Sequence, residues 1–142
     1  MESKKTDLER IKKFFAKDEY ATLSGISIDG VDDERAVVSV KLSSNHYNAN
    51  GCAQGGLIYT LADFAFAVLS NYKHPATVTQ GGDIRYLLPG TGEKLIATAR
   101  EVARAGRNSV CEVVIENDDG KTVAVAQFNG FIKEMDKQTF WE

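Results

Sequence analysis

The chain is poor in the residues from which covalent scaffolds and metal centres are built. Only two cysteines, Cys52 and Cys111, occur among 142 residues. A pair in a chain of this size makes neither a disulfide framework nor a metal-ligand cluster, so both are expected to be reduced. Cys52 lies three residues before a glycine pair and could be activated there by a helix dipole, but a small buried thiol is the ordinary alternative. Histidine is equally scarce. His46 and His74 are the two present, and neither stands beside a serine or cysteine motif that would make a nucleophile triad. Surface or loop roles are expected for both.

Long apolar runs are missing as well. None approaches the ~20 residues of a membrane span. The opening Met1-Glu2-Ser3-Lys4-Lys5-Thr6 leads into a charged amphipathic stretch instead of the apolar core of a signal segment. A cytoplasmic protein with no membrane partner is the expectation. The formal net charge is −3, which lacks the basic excess of a nucleic-acid binder. There are no internal repeats and no low-complexity segments.

What is present fits one globular domain over residues 1–142, with residues 1–20 as an accessory helix. Hydrophobic residues make up 43% and charged ones 26%, ordinary values for a chain long enough to bury a true core. Thr6-Asp7-Leu8-Glu9 has the form of a capping box, and Leu8, Ile11, Phe14 and Phe15 follow at helical spacing. Together they predict an amphipathic helix from about Asp7 to Lys17.

Alternating and β-branched stretches then predict strands over Leu23 to Asp29 and Ala36 to Leu42, with Asp29-Gly30 as the turn signal between them. After a long apolar helix the chain returns to strand chemistry over Thr77 to Leu88, Glu93 to Val102, Ser109 to Glu116 and Thr122 to Lys133. Gly90, Arg104-Ala105-Gly106-Arg107 and Asn117-Asp118-Asp119-Gly120 punctuate these as turns. Two strands, a helix and four strands argue for an α+β fold, one antiparallel sheet curled around a single helix. The closing Thr139-Phe140-Trp141-Glu142 reads as an aromatic tail packing at an interface.

The chemistry concentrates between Asn48 and Asn71. Leu57, Ile58, Leu61, Ala62, Ala65, Phe66, Val68 and Leu69 recur at helical spacing from about Gly55 to Asn71, which predicts a helix surrounded by protein on nearly every side. A carboxylate, Asp63, sits inside it. An unpartnered ionised carboxylate there would cost several kcal/mol or stay protonated, so Asp63 needs a partner or a task. Gly55-Gly56 opens the same helix, leaving backbone N–H groups accessible to a carbonyl oxygen or anion. Asp63 follows Gly55 by eight positions, roughly 12 Å along one axis. One substrate carbonyl cannot touch both. If the two serve one reaction centre, they come from two antiparallel copies of the helix, which predicts a homodimer, with a dimer of dimers as its extension.

The stretch from Asn48 to Asp63 resembles the hot-dog-fold acyl-CoA thioesterases, in particular the branch related to the phenylacetate-degradation thioesterases. Asn48, Gln54-Gly55-Gly56 and Asp63 stand at the family's spacings, and Leu61-Ala62-Asp63 followed by small and aromatic residues is especially similar. Thr79-Gln80-Gly81-Gly82-Asp83-Ile84-Arg85-Tyr86-Leu87-Leu88-Pro89-Gly90 looks like the family's strand after the helix.

The resemblance spans about Gly25 to Lys133 and implies hydrolysis of an acyl-CoA thioester without metal or redox cofactor. It implies that Asp63 acts on water or directly on the thioester, and that the N–H of the partner subunit's Gly55 polarises the thioester carbonyl. Asn48 would help place that carbonyl or the water. Thr79 would hold the nucleophilic water, and Gln54 and Gly56 would bind substrate. Such chemistry needs an activated nucleophile and a site for the developing oxyanion.

Gln54 stands where the family pattern has His. Gln donates and accepts hydrogen bonds but does not titrate near neutral pH. That keeps open a second class of function, an acyl-CoA-binding hot-dog protein without turnover. A hot-dog dehydratase, which needs a His and carboxylate pair, ranks last. Each site residue also has a plain structural alternative: satisfied carboxylate for Asp63, close packing for Gly55 and Gly56, turn residue for Asn48, strand residue for Thr79. Arg100, Arg104 and Arg107 cluster around one turn, as coenzyme A phosphate contacts or as solvated surface. Tyr59, Phe64, Phe66 and Tyr86 are the aromatic residues that could line an aryl or an aliphatic acyl pocket.

Overall fold

The computed structural model describes residues 2–133 together with Asp136 and Phe140. Helix α1, Glu2–Phe15, and a short helix α2, Glu19–Leu23, precede strands β1, Ile26–Val31, and β2, Ala36–Lys41. A single 3-10 turn, Ser44–His46, leads to the long helix α3, Gly55–Lys73. Strands β3, Thr77–Tyr86, β4, Lys94–Ala105, β5, Asn108–Asn117, and β6, Thr122–Ile132, complete the fold. All pairings are antiparallel and the strand order is β1-β2-β4-β5-β6-β3. The expected α+β hot-dog arrangement, a six-stranded sheet wrapped on one helix, is the observed one.

Period-two patterning explains which face meets α3. In β2, Ala36, Val38 and Val40 are buried while Val37 and Ser39 are not, and β4 continues the same inner layer with Leu95, Ala97 and Ala99. Helix α3 lies across this face, touching all six strands of the sheet. Phe66 of α3 stacks on Phe128 of β6, ring centroids 5.3 Å apart, with both rings 1% exposed. Truncating either to Ala would cost about 3–5 kcal/mol. Phe66 is therefore core and not an acyl-pocket lining.

Several boundaries differ from the sequence expectation. Helix α1 begins at Glu2, so Thr6-Asp7-Leu8-Glu9 lies inside it instead of capping it. Leu23 ends a helix instead of opening a strand, because Asp18 accepts the Ala21 N–H at 3.0 Å and starts a separate turn of helix. Asp29-Gly30 makes no turn. It falls at an irregularity in β1 between Ile28 and Gly30, and the chain reverses later, where Asp32 Oδ1 accepts N–H from Glu34 and Arg35. Strand β3 stops at Tyr86, since the N–H groups of Leu87 and Leu88 both turn to the Val123 carbonyl. Of the aromatic tail, Phe140 packs on Phe14 of α1 at 4.6 Å; Thr139, Trp141 and Glu142 lie outside the described residues.

The last turn of α3 is tied down by polar contacts. Glu101 of β4 meets Lys73 at 3.3 Å and His74 at 2.9 Å, and the Ser109 hydroxyl donates to it at 2.5 Å. His74 lies in the bend after α3, a loop position as expected, but its side chain is largely buried against Glu101 instead of at the surface. Next to this cluster, burial pushes the Cys111 thiol up to about 11, which keeps it protonated and inert.

Candidate active site

Asp63 occupies a half-open stripe of α3, not an enclosed one. Gly56, Thr60, Asp63 and Ala67, spaced at one helical turn, are all partly or fully exposed, whereas Leu61, Ala62, Phe64, Ala65 and Phe66 are buried. The sequence expectation of a helix covered on nearly every side thus fails along this stripe. Thr79 of β3 reaches Asp63 on this face, and the rest of the stripe stays partly open.

One Asp63 oxygen, Oδ1, accepts a hydrogen bond from the Thr79 hydroxyl of β3 at 3.3 Å. Burial raises the Asp63 pKa above its ordinary value, the Thr79 hydrogen bond works the other way, and the negative charge of Asp18 adds to the rise. The result is a carboxylate more basic than a solvated one and still ionisable. It borders a cavity of about 370 Å³ walled by Tyr59 and Phe64 of α3 and by Asp18, Tyr20 and Ala21 before and within α2. Asp18 and Tyr20 were not legible as neighbours of this site. The signal available was an Asp directly ahead of Glu19-Tyr20-Ala21, a helix start that aims a second carboxylate-bearing turn back at α3.

Asn48 and Gly55 form a second, separate group. They share another cavity of about 370 Å³ with Cys52, Tyr86 and Pro89. Gly55 is the first helical residue, and its N–H has no acceptor among the described residues, as expected of a donor at a helix start. Its carbonyl accepts the Tyr86 hydroxyl at 2.9 Å. The Gly56 N–H is already spent, donating to Oε1 of Gln54 at 2.6 Å. Gln54 is thus the N-cap of α3.

Asn48 serves the loop ahead of the helix: Oδ1 accepts the Asn50 N–H at 2.9 Å and the Cys52 N–H at 3.3 Å, with the Cys52 thiol at 3.6 Å. Its amide nitrogen has no partner among the described residues. His46 locks the same loop. The Ser43 N–H donates to its Nδ1 at 3.0 Å, and Nε2 lies 2.7 Å from the Ser24 carbonyl. With both ring nitrogens engaged, it is structural.

The structure therefore brings Asp63 to Thr79 and Asn48 to Gly55, but leaves the two pairs in different cavities, as their spacing along α3 requires. The three arginines do not converge. Arg100 faces Glu112 across the β4–β5 ladder, while Arg104 and Arg107 border the turn at its tip, with the Arg107 guanidinium 5.9 Å from the Phe131 ring centroid. Among the described residues no cluster of His, Cys, Asp or Glu is placed to hold a metal ion, and no helix is long and apolar enough to cross a membrane.

No protein-family model matches the chain. Individual proteins do. The acyl-coenzyme A thioesterase PaaI of Escherichia coli K12 is 33% identical over 112 residues, 78% of this chain and 80% of the relative. The solved structure of the E. coli PaaI protein from the phenylacetic acid degradation operon superposes with a TM-score of 0.85 at 27% identity, covering 92% of this chain and 96% of that one. A Streptococcus pneumoniae thioesterase solved with coenzyme A gives a TM-score of 0.79 at 27% identity over 87% of this chain and 97% of that one. The fold is the hot-dog fold of the thioesterases. Within it the chain belongs to the acyl-CoA thioesterases of the PaaI-like branch, and its activity is that of an acyl-CoA thioesterase.

Proposed function

We propose that this chain hydrolyses an acyl-CoA thioester at a reaction centre shared between two subunits, with Asp63 of one and the Gly55 N–H of its partner as the working groups. The observation that carries the reading is the path of β3. Thr79 on this strand meets Asp63, and Tyr86, seven residues on, meets Gly55. β3 is the last strand of the sheet, bonded on one side to β6, and it is exposed along nearly its whole length. Val78, Tyr86, Leu87 and Leu88 are all more than 40% exposed there.

A long bare edge of this kind invites another strand. Two β3 edges paired antiparallel about a two-fold axis between Gly82 and Asp83 would set Thr79 opposite the partner's Tyr86. Each Asp63 would then face the partner's Gly55. The same pairing would cover the open stripe of α3.

In that centre the Asp63 carboxylate takes a proton as water attacks the thioester carbon. Thr79 steadies Oδ1, and the oxyanion that forms accepts the partner's free Gly55 N–H. Collapse expels coenzyme A as the thiolate, which recovers the proton from Asp63. Gln54 takes no part in proton transfer. It satisfies the Gly56 N–H and so leaves the Gly55 N–H as the donor presented to substrate. Asn48 adds its amide nitrogen beside that donor.

Complementation between two inactive variants tests the shared centre. Asp63→Asn removes the base. Gly55→Pro removes the N–H at a first helical position that tolerates proline, after a Gln54 already in extended conformation. Each variant alone should release little free thiol from a panel of aryl- and fatty-acyl-CoA thioesters. Refolded together they should recover about a quarter of native activity, because half the random dimers are mixed and each holds one intact centre. No recovery in mixtures shown by native mass spectrometry to contain mixed dimers, or an active native monomer, would overturn the proposal.

A further inference from the structure

The cavity beside Asp63 is built from two unlike walls. Tyr59, Phe64 and Ala67 of α3 give it an apolar, partly aromatic side, while the facing side comes from Asp18, Tyr20 and Ala21. At about 370 Å³ it lies within the ~300–1,000 Å³ range of small-molecule sites. Its position against the carboxylate proposed to activate water fits it for the acyl group rather than for the nucleotide.

The polar member of the α2 side is fixed. Asp18 Oδ1 accepts the Ala21 N–H at 3.0 Å, which fixes the side chain at the start of α2. Among the described residues, no Lys, Arg or His lines the cavity. The neighbouring Lys17 has its ammonium 5.4 Å from the Phe14 ring centroid. An acyl group entering here therefore meets aromatic walls and two negative charges, Asp63 at the reacting end and Asp18 at the α2 wall, with no cation among the lining residues to compensate a third.

We propose that Asp18 is a specificity-determining residue, a charge filter that admits acyl groups with an uncharged distal end and rejects those ending in a carboxylate. The proposal rests on hydrolysis at Asp63 for its biological meaning, but the filter itself acts on binding. The substrate class is thereby narrowed to monocarboxylic acyl thioesters, aliphatic or aromatic, and ω-carboxyacyl thioesters are excluded.

Two matched pairs of ligands test this. Hexanoyl-CoA and adipyl-CoA differ by a distal carboxylate and report turnover by thiol release. The non-hydrolysable thioethers S-hexyl-CoA and S-(5-carboxypentyl)-CoA differ in the same way and report affinity by calorimetry. Asp18→Asn keeps an N-cap as good as Asp, so α2 is retained while the charge is lost.

Native protein should favour the neutral member of each pair by at least about tenfold, and Asp18→Asn should narrow that preference about fivefold, the worth of one like-charge contact at water-like dielectric. Asp18→Lys should narrow it further or reverse it. Preference ratios unchanged within about twofold in both variants, or a native protein indifferent to the distal charge, would overturn the filter. Binding ratios that move with Asp18 while no thioester is cleaved would sustain the filter and defeat the hydrolytic reading instead.

Discussion

The Tyr86 hydroxyl donates to the Gly55 carbonyl at 2.9 Å, so a strand residue grips the first peptide of the central helix. A Cβ at Gly55 would lie 3.3 Å from that same hydroxyl oxygen, so a side chain there moves the phenol by a few tenths of an ångström. Tyr86→Phe keeps the ring and removes the grip. It should lower kcat about three- to tenfold, in line with one neutral hydrogen bond, with KM and the melting temperature little changed. A loss confined to KM would show that the phenol binds substrate instead of aligning the helix start.

Asp63 is held in a state that costs stability. Its folded pKa lies above the ordinary 3.8, chiefly through burial, so the folded chain binds this proton more tightly than the unfolded one. Stability therefore increases as pH falls through the raised pKa toward 3.8, and the cost of the ionised group is fully present at neutral pH. Asp63→Asn should melt higher than native protein at pH 7, an advantage that shrinks in acid, while kcat falls about 10²–10⁴-fold. Thr79→Ala removes the one contact recorded as lowering the pKa, and should move the acid limb of the pH–rate profile to higher pH. A Thr79→Ala profile superimposable on the native one would remove the hydroxyl from the site's electrostatics.

Gln54 holds the Gly56 N–H at 2.6 Å. Gln54→Ala leaves that donor bare and should cost about 0.5–2 kcal/mol in urea unfolding, the usual worth of a side-chain N-cap. Its pH–rate profile should keep the native shape, because Gln54 carries no proton. A profile that loses a limb would mean that residue 54 does more than cap.

At the far end of α3, burial works against the charge of Glu101, but hydrogen bonds from Ser109, His74 and Lys73 outweigh it and hold its carboxyl below the usual value of 4.5. This contribution is present above 4.5 and is lost as pH falls through the lowered pKa. Glu101→Gln should destabilise the fold by about 1–3 kcal/mol at pH 7, and native and variant should converge as pH falls below the lowered pKa. Parallel stability curves across that range would show that the network contributes nothing through charge.

Most of the fold could be read from residue periodicity, and the reasons for the exceptions are local. Strands β2, β4, β5 and β6 and helix α3 announce themselves because burial on one face repeats every second residue, or on one stripe every third and fourth; β3, exposed along nearly its whole length, is marked instead by its β-branched start and its bounding Pro75 and Pro89. Asp29-Gly30 misleads because the same dipeptide suits a bulge as well as a turn, and only pairing partners decide. Helix α2 escapes notice because five residues cannot show a period; its one signal is the cap at Asp18.

The site was legible in its members and not in its connections. Asp63, Gly55 and Asn48 stand out by type and spacing. That Gln54 caps, that Tyr86 grips and that Asp18 shares a cavity with Asp63 all depend on contacts between segments far apart in sequence.

The two groups proposed to work together, Gly55 and Asp63, ride on one uninterrupted helix, Gly55–Lys73, with no loop between them to absorb a change in length. Inserting or deleting a single residue between Gly55 and Asp63 would turn the carboxylate about 100° around the helix axis and slide it ~1.5 Å along it, off the open stripe and into the core. Loops elsewhere can lengthen without touching the chemistry. This segment can vary in its side chains, but its residue count is as fixed as any residue in the site.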